Sequence, residues 1–123
     1  MLLIDDDLTV RQSLEQALTL ENFLVVGVSN GIEALQEFGK KPIDVVLLDL
    51  NLGEESGWDT LEKLKSMRPC LPIILMTGHP EHRARVSADL VETFMEKPLD
   101  LPTLFRKLNA LTIESAEPAE RAS

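Results

Sequence analysis

The chain has 123 residues, room for one domain, and 44% of them are apolar, enough for a real core. Its 21 acids against 12 Lys and Arg give a net charge of -9, which excludes broad, nonspecific binding to nucleic acid or an anionic membrane. A single cysteine, Cys70, excludes an internal disulfide and a multi-cysteine metal site, and it points to a reducing compartment.

Leu2-Leu3-Ile4 is the first short apolar run. No basic region precedes it as in a secretory signal, and no stretch reaches transmembrane length, so the expected location is cytoplasmic. Val10, Leu14, Ala17 and Leu18 then share one helical face. Leu24 to Val28 is the second strand-like run. Asn30 with Glu33 forms a capping box that opens a helix striped by Ile32, Leu35 and Phe38, with Gly39 as its expected stop. Ile43 to Leu48, interrupted only by Asp44, is the third run. Trp58, Leu61, Leu64 and Met67 stripe a third helix that ends before Pro69. Leu71 to Met76 is the fourth run. Pro80 opens the weakest helical pattern, with only Val86 and Leu90 to face a core. Val91 to Met95 is the fifth run, and it carries Glu92 and Thr93. Leu101, Leu104, Phe105, Leu108 and Leu111 stripe a fifth helix behind the N-cap candidate Asp100. Residues 112–123, rich in Ser, Glu, Ala and Pro, read as a flexible tail or the start of a linker, so the domain is expected over 1–111.

Five alternating β–α units predict an α/β fold: a doubly wound, five-stranded parallel sheet with five helices in two layers. Near-continuous apolar character in the second and third strands predicts burial on both faces. Periodicity leaves the strand order open.

In such a sheet, ligands bind beyond the carboxyl ends of the strands. Asp5, Asp6 and Asp7 follow the first strand and Asp49 follows the third. Clustered carboxylates repel one another, and a bound divalent ion offsets that repulsion. The donors are hard oxygens, which favour Mg²⁺ over Zn²⁺. Thr77 ends the fourth strand and Lys97 the fifth, so a hydroxyl and an ammonium reach the same edge. This set can surround a phosphoryl group, with one carboxylate as nucleophile. Asp49, alone among apolar neighbours, is the best candidate for that role. Acid runs at strand ends are commonly caps or solvated turns, and a Lys-Pro pair is often only a turn. Their joint placement at four strand ends is the specific signal.

The pattern resembles the receiver domain of two-component response regulators, over residues 1 to about 111. Leu3-Ile4-Asp5-Asp6-Asp7 matches the first strand and acidic pair, and Val45-Val46-Leu47-Leu48-Asp49 the phosphoacceptor strand. Ile73-Ile74-Leu75-Met76-Thr77-Gly78 matches the fourth strand with its switch hydroxyl, and Glu96-Lys97-Pro98 the lysine-proline signature. The resemblance implies a flavodoxin-like sheet of order 2-1-3-4-5 and Mg²⁺ held by Asp5, Asp6, Asp49 and the Asn51 carbonyl. It further implies phosphorylation of Asp49, a cis bond before Pro98, and switch roles for Thr77 and Phe94. Asn51 and His79 occupy positions that tune dephosphorylation. Asp7, one place past the pair, is expected to be second to the metal or a cap for the first helix. Gly57 matches the glycine before the third helix.

Two features depart from the family. Gly53 stands where a proline is usual, so the loop 53–56 is expected to be freer. The segment between Thr77 and Phe94 is shorter than in chemotaxis members, which weakens the fourth helix. The implied partners are a sensor histidine kinase or a histidine phosphotransfer protein, then a downstream protein or output domain. A homodimer through the fourth and fifth helical face is compatible with the pattern. No direct nucleic-acid or membrane partner is expected. Whether the chain counts as an enzyme is open: it would catalyse its own Mg²⁺-dependent phosphorylation, yet act as a switch. Two other classes compete. One is a degenerate receiver that binds a partner without phosphorylation. The other is a small phosphohydrolase or a cofactor-binding domain, which would need an added acid/base or a Ser-, Thr- or Gly-rich phosphate loop.

Overall fold

The structure is a computed structural model that describes residues 1–52, 55–79 and 93–122. In chain order come β1 (Leu2–Ile4), α1 (Leu8–Leu20), β2 (Val26–Val28), α2 (Gly31–Lys40), β3 (Val46–Asp49) and β4 (Asn51–Leu52). Then follow β5 (Glu55–Ser56), α3 (Gly57–Met67), β6 (Ile73–Thr77), β7 (Thr93–Glu96) and α4 (Leu101–Ala122). Five strands pair in parallel in the order β2-β1-β3-β6-β7, which is 2-1-3-4-5 when the sheet strands alone are counted.

Side chains alternate across the sheet, so each strand feeds two cores. On one face Leu2, Ile4, Val46, Leu48, Ile73 and Leu75 meet Ala34 of α2 and Leu61 and Leu64 of α3. On the other, Leu3, Leu47, Ile74 and Met76 meet Leu14 and Leu18 of α1 and Leu104 and Leu108 of α4. Burying each such Leu or Ile stabilises the fold by about 1.5–3 kcal/mol before entropy is counted. The expected helix entries hold. Asp7 Oδ1 accepts from Val10 N at 3.2 Å, and Asn30 Oδ1 accepts from Glu33 N at 2.8 Å. Glu33 Oε1 reaches back to Ser29 N, one residue earlier than a standard capping box.

Several expectations are corrected. The described residues carry four helices, not five. The expected fourth helix, with Pro80, Val86 and Leu90, lies outside the described residues. The second strand is not buried on both faces: β2 is an edge strand, with only Val28 fully inside, and Leu24 is 88% exposed. Ile32 and Met67 point outward, and Ala34 and Lys65 take inward places on their helices. Gly39 does not stop α2, which runs to Lys40. Asn51–Leu52 and Glu55–Ser56 pair antiparallel, a pairing the sequence did not announce. Apart from these corrections, the helical backbone of α4 runs from Leu101 to Ala122. Among the described residues no helix is long and apolar enough to cross a membrane.

Candidate functional site

Sheet register builds the site. Ile4 pairs with Leu48, so Asp5 stands level with Asp49. Asp49 pairs with Met76, which puts Thr77 one residue beyond. Thr77 pairs with Glu96, so Lys97 comes next at the same edge. Asp5 is fully buried and Asp49 is 2% exposed. Lys97 Nζ donates to both, at 3.4 Å to Asp5 Oδ2 and 2.9 Å to Asp49 Oδ2. The other oxygen of each acid takes a backbone amide: Asp7 N to Asp5 Oδ1 at 2.9 Å, and Asn51 N to Asp49 Oδ1 at 3.0 Å. Asp6 is exposed at the mouth, and one oxygen each from Asp5, Asp6 and Asp49 lies within 4.8 Å of the others.

The second half of the site is a frame. Thr77 is fully buried, and its Oγ1 accepts from His79 N at 3.0 Å. Its carbonyl accepts from Lys97 N at 2.7 Å, which ties the β6 and β7 ends together. The Lys97–Pro98 bond is cis. Phe94 is half-buried against the α2–α3 side of the core, and His79 and Asn51 are exposed. Gly57 opens α3 directly under the Asp49 loop. A Cβ there would lie 2.6 Å from Leu50 Cα and 2.7 Å from Asp49 O, so only glycine fits without a backbone shift.

Burial pushes the Asp49 carboxyl above its usual range. The Asn51 amide and the Lys97 hydrogen bond and charge oppose this, and the Asp5 charge adds to it. Burial pulls the Lys97 amine down, but its hydrogen bond to Asp49 and the charges of Asp49 and Asp5 leave it raised overall. One ammonium thus faces two buried carboxylates with a third at the rim. An all-oxygen cluster of this charge is compatible with a divalent cation.

A family model described as the response regulator receiver domain matches residues 1–109. The chain belongs to this family. As a receiver it is a phosphoaccepting module of two-component signalling. It is 30% identical over 118 residues to the transcriptional regulatory protein GlrR of Escherichia coli K12, covering 94% of this chain and 27% of that protein. It is 35% identical over 100 residues to the DNA-binding transcriptional regulator NtrC of the same organism, covering 80% of this chain and 21% of that one. The receiver therefore spans about a quarter of the length of these curated relatives. Among solved structures it resembles a CheY-like receiver from Methanospirillum hungatei, with TM-score 0.86, 24% identity and 95% of each chain covered. It also resembles the response regulator TrrA of Thermotoga maritima in complex with Mg²⁺-BeF, with TM-score 0.82 and 26% identity. That match covers 89% of this chain and 96% of the other.

The receiver pocket brings Asp5, Asp6, Asp49 and Lys97 together, with Thr77 on the adjoining strand end. Phe94 stands behind it, level with Leu75. One contributor escaped the sequence reading: Arg11, whose Nη1 donates to the Asp5 carbonyl at 3.0 Å. A signal existed. Arg11, Leu14 and Leu18 recur at helical spacing, so Arg11 extends the inward face of α1 toward the acids.

Proposed function

We propose that this receiver accepts a phosphoryl group on Asp49 from a phosphohistidine of a sensor kinase or phosphotransfer protein, and switches partner binding in response. The observation that carries this is Asp49 itself: a buried carboxylate at a strand end, sharing Lys97 with Asp5 and standing beside Asp6. Asp49 oxygen attacks phosphorus, the P–N bond to the donor imidazole breaks, and an acyl phosphate forms. Asp5, Asp6, Asp49 and the Asn51 carbonyl would hold Mg²⁺, which would supply neutralising charge to the phosphoryl oxygens. The Mg²⁺ in the TrrA complex supports that choice of ion. Lys97 exchanges its carboxylate bond for a phosphoryl oxygen. Thr77 hydrogen-bonds another oxygen and draws the 77–79 turn inward. Phe94 repacks behind it, and the population moves between two surfaces. Asn51 at the start of β4 and His79 after β6, both exposed, set the rate at which water reaches the acyl phosphate.

The switch occupies residues 1–111 in this reading, and 112–123 lead out of it. A longer chain or a separate partner carries the output. The matched regulators GlrR and NtrC support an output in transcription. The proposed setting is cytoplasmic, where a histidine donor and Mg²⁺ are available. Beryllofluoride with Mg²⁺ tests the switch. The expected result is a new set of amide NMR shifts reaching residues 77–79 and 94–97, beyond those that Mg²⁺ alone produces around the acids and absent with beryllofluoride alone. An unchanged spectrum would instead support a receiver that recruits its partner without phosphorylation.

A further inference from the structure

We propose that Arg11 is a positioning residue for the acid pocket: it fixes the peptide joining Asp5 to Asp6, and so sets where the Asp6 carboxylate meets a bound cation. The β1 ladder ends at Ile4. Asp5 N still donates to Val28 O at 3.1 Å, which anchors the near side of the residue to β2. Its carbonyl turns toward α1, where Arg11 Nη1 donates at 3.0 Å. That carbonyl belongs to the same planar unit as the Asp6 amide, so holding one orients the other. Asp6 is the exposed member of the cluster, with no sheet around it to fix its aim.

The guanidinium is itself placed by its surroundings. Its stem and the Glu15 carboxylate lie over bare backbone at Gly27 on β2. A Cβ there would meet Glu15 Oε1 at 1.7 Å and Arg11 Cδ at 3.4 Å. Glycine inside a strand marks such a close approach. Glu33 at the start of α2 is held below the usual carboxylate range, first by hydrogen bonds from Ser29 and lastly by the Arg11 charge. Arg11 therefore joins the end of β1 to its neighbours on one side of the pocket.

The charge of Arg11 alone would repel a cation, and so oppose metal binding. Its geometry would favour it, and the sign of the effect separates the two. The inference rests on the reading that the acids hold Mg²⁺. Calorimetric titration of the full chain with Mg²⁺ alone tests both, beside a thermal melt of each variant. Arg11→Ala is expected to weaken Mg²⁺ binding about tenfold, the low end for outer partners of metal ligands. Arg11→Lys, which keeps the charge but loses the rigid fork, is expected to fall between the two. Equal or tighter binding in Arg11→Ala overturns the inference, even if its melting temperature drops. If Arg11→Ala does not fold, Arg11→Lys binding as tightly as the parent overturns it. No Mg²⁺ binding by the parent chain overturns the metal reading itself, and the inference with it. Binding by the parent with no change in the variants overturns the inference alone.

Discussion

Asp49 is under opposed influences, and the balance has consequences for pH. Its carboxyl is raised by burial despite the amide of Asn51 and the ammonium of Lys97. The folded chain thus holds this proton more tightly than the unfolded chain. Its contribution to stability is full below the unfolded carboxylate pKa and is lost as pH rises through the folded value. At neutral pH and without metal, ionised Asp49 costs stability. Asp49→Asn is therefore expected to melt higher than the parent at pH 7, with the gap closing on acidification; an equal or lower melt at pH 7 counts against the assignment. An NMR titration of the metal-free chain should therefore find Asp49 ionising above the ordinary carboxylate range. Lys97→Ala removes the opposing ammonium, so that titration should move further toward alkaline pH, and an unmoved curve would break the link between the two side chains.

At the scale of elements, the α3 entry is the tightest joint with the site. Gly57 sits against the Leu50 and Asp49 backbone, and its amide donates to Leu50 O at 3.2 Å. Gly57→Ala must push that loop, and overpacking of this kind costs about 1–3 kcal/mol. The expected outcome is a lower denaturation midpoint together with weaker Mg²⁺ binding; loss of stability with unchanged Mg²⁺ affinity would show that α3 moves and the loop does not. The strands were legible because apolar runs end in chemistry, Ile4 before Asp5, Leu48 before Asp49 and Met76 before Thr77, whereas their order followed only from the family resemblance. Caps were legible for a similar reason, as Asp7 and Asn30 act within a few residues of their targets. What was not legible depended on distant packing. Ile32 fits a helical stripe by spacing, but Gly31 and Ala34 are the residues turned inward. The β4–β5 pair joins segments too short to show a period. Arg11 was passed over because a cation on a helix is ordinarily a solvated residue, and nothing local says that a backbone carbonyl waits for it.

Over the whole molecule, the net charge of -9 resolves into a general surface property and a local one. The local part is the trio Asp5, Asp6 and Asp49, faced in the fold by Lys97, whose ammonium pairs with Asp5 and Asp49. A cation that binds only the folded state stabilises it by mass action, about 2.7 kcal/mol at a hundred times its Kd. Mg²⁺ should raise the melting temperature of the parent chain, and Ca²⁺-free chelator should reverse this. The rise should be much smaller in Asp6→Asn, and an equal rise there would place the ion elsewhere. The pocket residues sit at the ends of β1, β3, β6 and β7, strands that pack into the two cores. The most direct measurement is intact-mass analysis after incubation with Mg²⁺ and acetyl phosphate. The parent chain should gain one phosphoryl group that is lost in base, and Asp49→Asn should gain none. Equal incorporation in Asp49→Asn, or full incorporation by the parent in the presence of chelator, would contradict the assignment of Asp49 and of the metal respectively.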